Sequence, residues 1–167
     1  MMPAFRVGLG YDVHGLVPER PLILGGVEIA FHQGLAGHSD ADVLSHALGD
    51  ALLGAACLGD LGRHFPDSDP QYKGISSLRL LERIGSLLRR RGYAIENMDV
   101  TVVAQEPKLA PYIHEMQAAL ARVLNVSVDQ INIKATTTEG LGFAGRQEGI
   151  AAYAIVLLFK DDRILNS

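Results

Sequence analysis

The sequence predicts a single α+β domain in which one mixed β-sheet is covered by helices. Three observations predict it. Apolar residues recur at helical spacing in three separate stretches, near 40–58, 75–91 and 113–124. Two other stretches, 5–14 and 98–102, alternate bulky apolar with small or polar residues, the period of a strand. A last run, Ile150 to Phe159, is apolar on both faces, as expected of a strand at the sheet centre or in a subunit interface.

Along the chain, Phe5, Val7, Leu9, Tyr11 and Val13 alternate with Arg6, Gly8, Gly10, Asp12 and His14. One face of this strand is therefore bulky, and the other carries glycines, then an acid and a histidine, which leaves room for a ligand near its end. Leu22–Leu24 and Val27–Ile29 read as short strands broken by Gly25-Gly26, a hairpin signal. Residues 33–39 read as a loop. From Asp40 to about Leu58 an apolar stripe (Val43, Leu44, Ala47, Leu48, Ala51, Leu52, Ala55) predicts a helix, with Ser39 or Asp40 as its cap. The turn-forming stretch 59–74 predicts a loop. A second helix follows from Leu78, Leu81, Ile84 and Leu88 and stops at Gly92. Met98, Val100 and Val102 mark a strand, and a third helix buries Ile113, Met116, Leu120 and Leu124. A strand near 130–135 leads into a threonine- and glycine-rich loop before the final strand.

The 167 residues suffice for one domain with a substantial core, so neither metal nor disulfide is needed merely for folding. A net charge of −4 argues against a broad nucleic-acid surface. The lone cysteine, Cys57, excludes an intrachain disulfide and reads as a buried structural thiol in an apolar run. No apolar run approaches the roughly 20 residues needed to span a bilayer. The first residues lack the pattern of a secretory signal, so the expected location is the cytoplasm.

Four polar clusters carry chemistry. In Gly8-Leu9-Gly10-Tyr11-Asp12-Val13-His14, Asp12 and His14 project to one side of a strand and can grip one ion. His38-Ser39-Asp40-Ala41-Asp42 is followed by His46, which lies on one helical face with Asp42 and, a turn on, Asp50. Asp12, His14 and His46 would make a three-ligand site with one open position, the pattern of catalytic zinc; spacing alone does not choose Asp12 over Asp42 or Asp50. The second cluster is Asp60-Leu61-Gly62 with Phe65-Pro66-Asp67-Ser68-Asp69, a turn-rich loop with directed carboxylates. The third, Ala104-Gln105-Glu106-Pro107-Lys108-Leu109-Ala110, joins a strand to a helix, where free N–H groups and a lysine suit phosphate. The fourth, Lys134 to Arg146, offers three threonine hydroxyls and the hard oxygen ligand Glu139.

In this order the clusters closely resemble the 2-C-methyl-D-erythritol 2,4-cyclodiphosphate synthase family, whose stretches G-x-G-x-D-V-H, H-S-D-x-D-V-x-x-H-A, D-x-G-x-x-F-P-D-S-D, A-Q-x-P-K and K-A-T-T-T-E-x-L-G-F-x-G-R all have matches here. The resemblance sets residues 1–160 as one domain and leaves 161–167 as a short tail. It implies zinc on Asp12, His14 and His46, and a second divalent ion, magnesium or manganese, on Glu139. It implies substrate contacts from Asp12, Val13, His14, His38, Ser39, Asp60, Leu61, Gly62, the 65–69 loop, the 104–110 segment, Thr136, Thr137, Thr138 and Glu139, with Lys108 and its loop at the cytidine end. His38 and Thr137 are the implied stabilisers of the transition state.

The implied reaction is cyclisation of 4-diphosphocytidyl-2-C-methyl-D-erythritol 2-phosphate with release of CMP, in non-mevalonate isoprenoid precursor synthesis. The family also implies a homotrimer with active sites between subunits, Phe143 and Arg146 beside a central channel, and an isoprenoid diphosphate as that channel's candidate occupant. Two other readings make different products: a zinc phosphohydrolase would give linear ones, and a nucleotide- or isoprenoid-phosphate-binding module would give none.

Overall fold

The computed structural model describes residues 5–161. The expected 161–167 tail lies, beyond Asp161, outside the described residues, as do the first four positions. Strand β1 (Phe5–Pro18) leads to a hairpin of β2 (Leu22–Leu24) and β3 (Val27–Ile29), then β4 (Gln33–Leu35) and helix α1 (Val43–Ala55). There follow a short α2 (Leu61–His64), a 3₁₀ turn at Pro70–Tyr72, α3 (Ser77–Arg90), β5 (Tyr93–Val103), α4 (Ile113–Leu124), β6 (Ile131–Thr136), a one-turn α5 (Gly142–Gly145) and β7 (Gly149–Lys160).

Five strands form one mixed sheet in the order β4-β1-β7-β5-β6, and β2-β3 forms a separate ribbon. β7 is the central strand, as its two-faced apolar pattern predicts. It runs antiparallel to both β1 and β5, and β6 is parallel to β5, so β1, β5 and β6 share a direction. Their carboxyl ends therefore meet at one rim of the sheet, and Asp12 and His14, the 104–110 segment and the threonine loop lie on or just after those ends, whereas the Asp60–Asp69 cluster follows α1.

The glycine face of β1 is filled by α1. A Cβ on Gly10 would sit 1.8 Å from the Ala47 carbonyl oxygen, and one on Gly8 2.0 Å from that of Ala51. Only glycine permits this approach, and it brings the first turn of α1 over Asp12 and His14. The room left for a ligand thus begins where the glycines stop. The bulky face of β1 points outward: Phe5, Val7 and Leu9 are 58%, 69% and 67% exposed. The core lies between the other sheet face and the helices, where Leu44, Leu48 and Leu52 of α1 have no accessible surface. Each such burial contributes about 1.5–3 kcal/mol. α3 and α4 complete the layer, with Leu81, Ile84, Leu88, Met116 and Leu120 buried.

Several local expectations are corrected. Residues 33–35 are a strand, because Leu16–Pro18 extends β1 past β7 and pairs with Gln33–Leu35. The 59–74 loop contains α2 and the 3₁₀ turn, nucleated by Asp60 and Asp69, whose carboxylates accept from Arg63 N and Gln71 N. Neither Ser39 nor Asp40 caps α1. The cap is Asp42, fully buried, whose carboxylate accepts from Ser45 N at 3.0 Å, Ser45 Oγ at 2.7 Å and the backbone N–H groups of Gly25 and Gly26 at 2.9 and 2.7 Å. The two glycines form the β2-β3 turn with positive φ (+56° and +75°), so Asp42 fastens that hairpin to α1 and is not a metal ligand. Cys57 is exposed rather than buried: α1 ends at Ala55, the chain turns through a left-handed Cys57 (φ +57°), and its Sγ receives Arg6 Nη1 at 3.3 Å.

Candidate active site

Asp12 and His14 leave β1 on the side that faces α1, and His46 descends from the first turn of α1. Asp12 Oδ2 lies 2.9 Å from His14 Nε2 and 3.1 Å from His46 Nδ1, and the two ring nitrogens are 3.2 Å apart. Among the described residues these three form the one group of acids, histidines or cysteines able to hold an ion. Corners of a tetrahedron around zinc with bonds of 2.0–2.1 Å are separated by about 3.3 Å, so the donor set fits that metal with one position left open. The geometry selects Asp12 where spacing alone left Asp12, Asp42 and Asp50 open.

Electrostatics agree with a site prepared for a cation. Burial raises the Asp12 carboxyl, but hydrogen bonds with His14 and His46 outweigh it and hold the group well below the usual carboxylate range. The Asp12 hydrogen bond raises His14 above its ordinary value, against the opposing effect of burial. His14 turns its other nitrogen, Nδ1, to the Ala36 carbonyl at 2.5 Å. That bond fixes the ring with Nε2 toward the cluster.

The cluster opens onto a cavity of about 290 Å³ lined by His38, Ser39, Asp50, Leu61, Gly62, Phe65 and Asp67, among others. His38 Nε2 is a buried polar atom without a hydrogen-bond partner among the described residues, which is the expected state of a group reserved for a ligand. Its loop is held by Arg20, which donates to the carbonyls of Gly37 and Ser39 at 2.9 Å each. Asp50, one turn beyond His46, accepts from Leu61 N at 2.8 Å and so ties α1 to the start of α2. Burial pushes its carboxyl up, and the Leu61 N–H works against that. Phe65 meets the ring of Tyr72 edge to face at 5.5 Å, forming the cavity's aromatic wall.

A second, separate cavity of about 220 Å³ is lined by Ala104, Gln105, Pro107, Lys108, Leu109, Ala110, Ala135, Thr136 and Thr137. Its two loops are joined by Ala104 N to Thr136 O at 3.0 Å and Gly140 N to Gln105 Oε1 at 3.2 Å. Thr137 Oγ1 accepts from Glu139 N at 3.2 Å and donates toward its carboxylate at 3.4 Å, so Thr137 and Glu139 form one unit. The register places Asp12 opposite Ala152, Ala152 opposite Val102, and Val102 opposite Ala135. Three strand spacings, about 14 Å, therefore separate the metal cluster from the threonine loop on one chain.

Of the expected site residues, the structure gathers Asp12, His14, His38, Ser39, His46, Leu61, Gly62, Phe65 and Asp67 in the first cavity, and the 104–110 segment, apart from Glu106, with Thr136 and Thr137 in the second. Val13, Asp60, Pro66, Ser68, Asp69, Glu106, Thr138, Glu139, Phe143 and Arg146 line neither. Val13 lies on the outer sheet face, Asp60 and Asp69 serve as caps, and Arg146 pairs with Glu148 at 2.9 Å. Gly37, Tyr72, Ile75 and Leu80 line the first cavity without having been expected to. Tyr72 and Leu80 carried a local signal, since apolar residues beside a polar loop form a cavity wall.

A helix-backed mixed sheet that presents an acid–bis-histidine cluster at one rim fits the class of α+β metal-dependent enzymes. Residues 5–159 match the YgbB family, and the chain belongs to it. It is 65% identical over 153 residues, 92% of this chain and 98% of the other, to the 2-C-methyl-D-erythritol 2,4-cyclodiphosphate synthase of Desulforamulus reducens, and 64% identical over 155 residues, 93% and 96%, to that of Pelotomaculum thermopropionicum. Among solved structures it resembles the bifunctional IspDF of Campylobacter jejuni (TM-score 0.93, 45% identity), covering 96% of this chain and 44% of that longer one. It also resembles the CDP complex of Plasmodium falciparum IspF (TM-score 0.84, 32% identity; 97% and 100% covered).

Proposed function

We propose that this chain cyclises 4-diphosphocytidyl-2-C-methyl-D-erythritol 2-phosphate to 2-C-methyl-D-erythritol 2,4-cyclodiphosphate and releases CMP, as a step of non-mevalonate isoprenoid precursor synthesis in the cytoplasm. The observation that carries the reading is the Asp12–His14–His46 cluster opening onto a cavity in which His38 Nε2 has no partner among the described residues. The names of the relatives and the CDP-bound structure point the same way.

In this reaction an oxygen of the 2-phosphate forms a bond to the β-phosphorus, the bond from that phosphorus to the bridging oxygen breaks, and CMP departs with that oxygen. The protein supplies no nucleophile. Its work is to hold two anionic groups in line, which removes the entropic part of the barrier. Asp12, His14 and His46 would hold zinc, and Glu139 magnesium or manganese. Bound there, the ions neutralise phosphate charge and stabilise its redistribution. His38 Nε2 and the Thr137 hydroxyl orient phosphate oxygens, Ser39 adds a hydroxyl beside His38, and the Asp60–Asp69 stretch walls the erythritol. Lys108 and the backbone of the Ala104–Ala110 loop receive the cytidine diphosphate end.

Because the two half-sites stand apart on one chain, the complete site would be built between copies. The exposed apolar stripe of Phe5, Val7, Leu9, Tyr11 and Val13, continued by Tyr153 and Ile155 on β7, supports a homotrimer that covers it. α5 would then border a threefold channel, where Phe143 and Arg146 offer an apolar wall and a guanidinium to an isoprenoid diphosphate.

His46→Ala tests the reading. Zinc retention is expected to fail and turnover to fall on the order of 10³-fold or more, about 4 kcal/mol of transition-state stabilisation, while the buried core keeps the chain folded. Near-normal turnover by that variant would count decisively against the site.

A further inference from the structure

We infer that Ser77, with Asp40 behind it, is a positioning pair that holds the His46 ring with Nδ1 toward the metal by accepting from its Nε2–H. The inference rests on the zinc reading above and adds to it two residues that take no part in binding metal or substrate.

Ser77 opens α3, far in sequence from the cluster, yet it is completely buried. Its Oγ lies 2.9 Å from His46 Nε2 and 2.5 Å from Asp40 Oδ1. The donor order along this chain of atoms follows from chemistry. An ionised carboxylate only accepts, so the Ser77 hydroxyl gives its single proton to Asp40. Its oxygen is then left as an acceptor toward His46. Nε2 of His46 carries the hydrogen of that bond, which leaves Nδ1 as the nitrogen given to a metal once an ion displaces the hydrogen that Nδ1 shares with Asp12. Nδ1 is the atom that faces Asp12 and His14. The pair therefore fixes the ring with Nδ1 toward the metal, from the side opposite it.

Asp40 is held for this purpose by bonds that do not involve the histidine. Its Oδ2 accepts from Ser77 N at 2.9 Å, capping α3 in place of Ser76, whose side chain makes no capping bond, and its own N–H donates to Ile75 O. Ser39 Oγ also approaches His46 Nε2, at 3.1 Å, but it accepts from Ala41 N and lines the ligand cavity. Among the described residues no carboxylate accepts from its hydroxyl to fix its polarity.

The test uses two readouts. In zinc-loaded wild-type protein, long-range ¹H–¹⁵N NMR should find the His46 ring hydrogen on Nε2 and zinc on Nδ1; ligation through Nε2 would overturn the inference without any variant. In chelator competition at fixed pH, Ser77→Ala should weaken zinc binding 10- to 100-fold, the usual effect of losing such a partner. Its backbone cap to Asp40 remains, so α3 should stay folded. Ser77→Thr, which keeps the hydroxyl, should restore most of the affinity. A wild-type protein that binds zinc tightly and a Ser77→Ala protein that binds it equally well would refute the positioning role alone. A wild-type protein that binds no zinc would instead refute the metal reading on which it rests.

Discussion

Asp12 and His14 share a proton-dependent contact that a metal must break, and this gives the site a predictable pH response. With His14 raised above its ordinary 6.5 by Asp12, the metal-free fold gains from the charged pair fully below that ordinary value and loses the gain as pH rises through the raised one. Zinc has the opposite sign, because it needs the neutral ring. Chelator competition between about pH 5 and 8 should show affinity climbing with pH, by up to tenfold per unit, and still climbing above 6.5. An affinity independent of pH would contradict the pairing. At this scale the sequence was informative where one element carried the whole signal: the i, i+2 spacing of Asp12 and His14 placed them on one face, as observed. It was silent where the partner came from elsewhere. Nothing in the sequence around Ser77 or Asp50 connects them with His46 or Leu61, and the exposure of Cys57 depended on a left-handed turn that apolar periodicity does not encode.

The contact that builds the metal cluster is a helix laid directly on a strand. The glycine-bearing face of β1 reads as room for a ligand near its end; at Gly8 and Gly10 themselves the space of the missing side chains is filled by the backbone of α1. Gly10→Ala tests this: with 1.8 Å between the new Cβ and the Ala47 carbonyl, α1 must move. Overpacking of this kind costs about 1–3 kcal/mol or more. A lowered melting temperature together with weakened zinc binding is expected, because His46 rides on the displaced turn; unchanged values for both would show that the glycines are incidental. The three long helices and the central strand were legible, since each repeats its period over several turns or pairs. β4 and α2 were not. Three and four residues are too short for a period, and the contacts that hold them are a strand partner, Leu16–Pro18, for β4 and the caps Asp50 and Asp60 for α2.

For the whole molecule, alternation along β1 could reveal an apolar face but not which side of the sheet the helices would occupy. The glycines decided it, and the bulky side was left outward beside Tyr153 and Ile155. If copies share sites, two inactive proteins should rescue each other. His46→Ala and Glu139→Ala homomers, mixed after dissociation and reassembly, are expected to regain about a quarter to a third of wild-type activity, as random subunit pairing restores some intact sites. No recovery in mixed assemblies of verified composition would mean that each chain uses only its own residues.

The most direct test of the central claim is phosphorus-31 NMR of the purified protein with 4-diphosphocytidyl-2-C-methyl-D-erythritol 2-phosphate, zinc and magnesium, repeated with EDTA. The account predicts CMP and a cyclic diphosphate in equal amounts, with both lost on chelation. Linear phosphate products would instead identify a hydrolase, and folded, metal-loaded protein that leaves the substrate unchanged would contradict the proposed catalysis altogether.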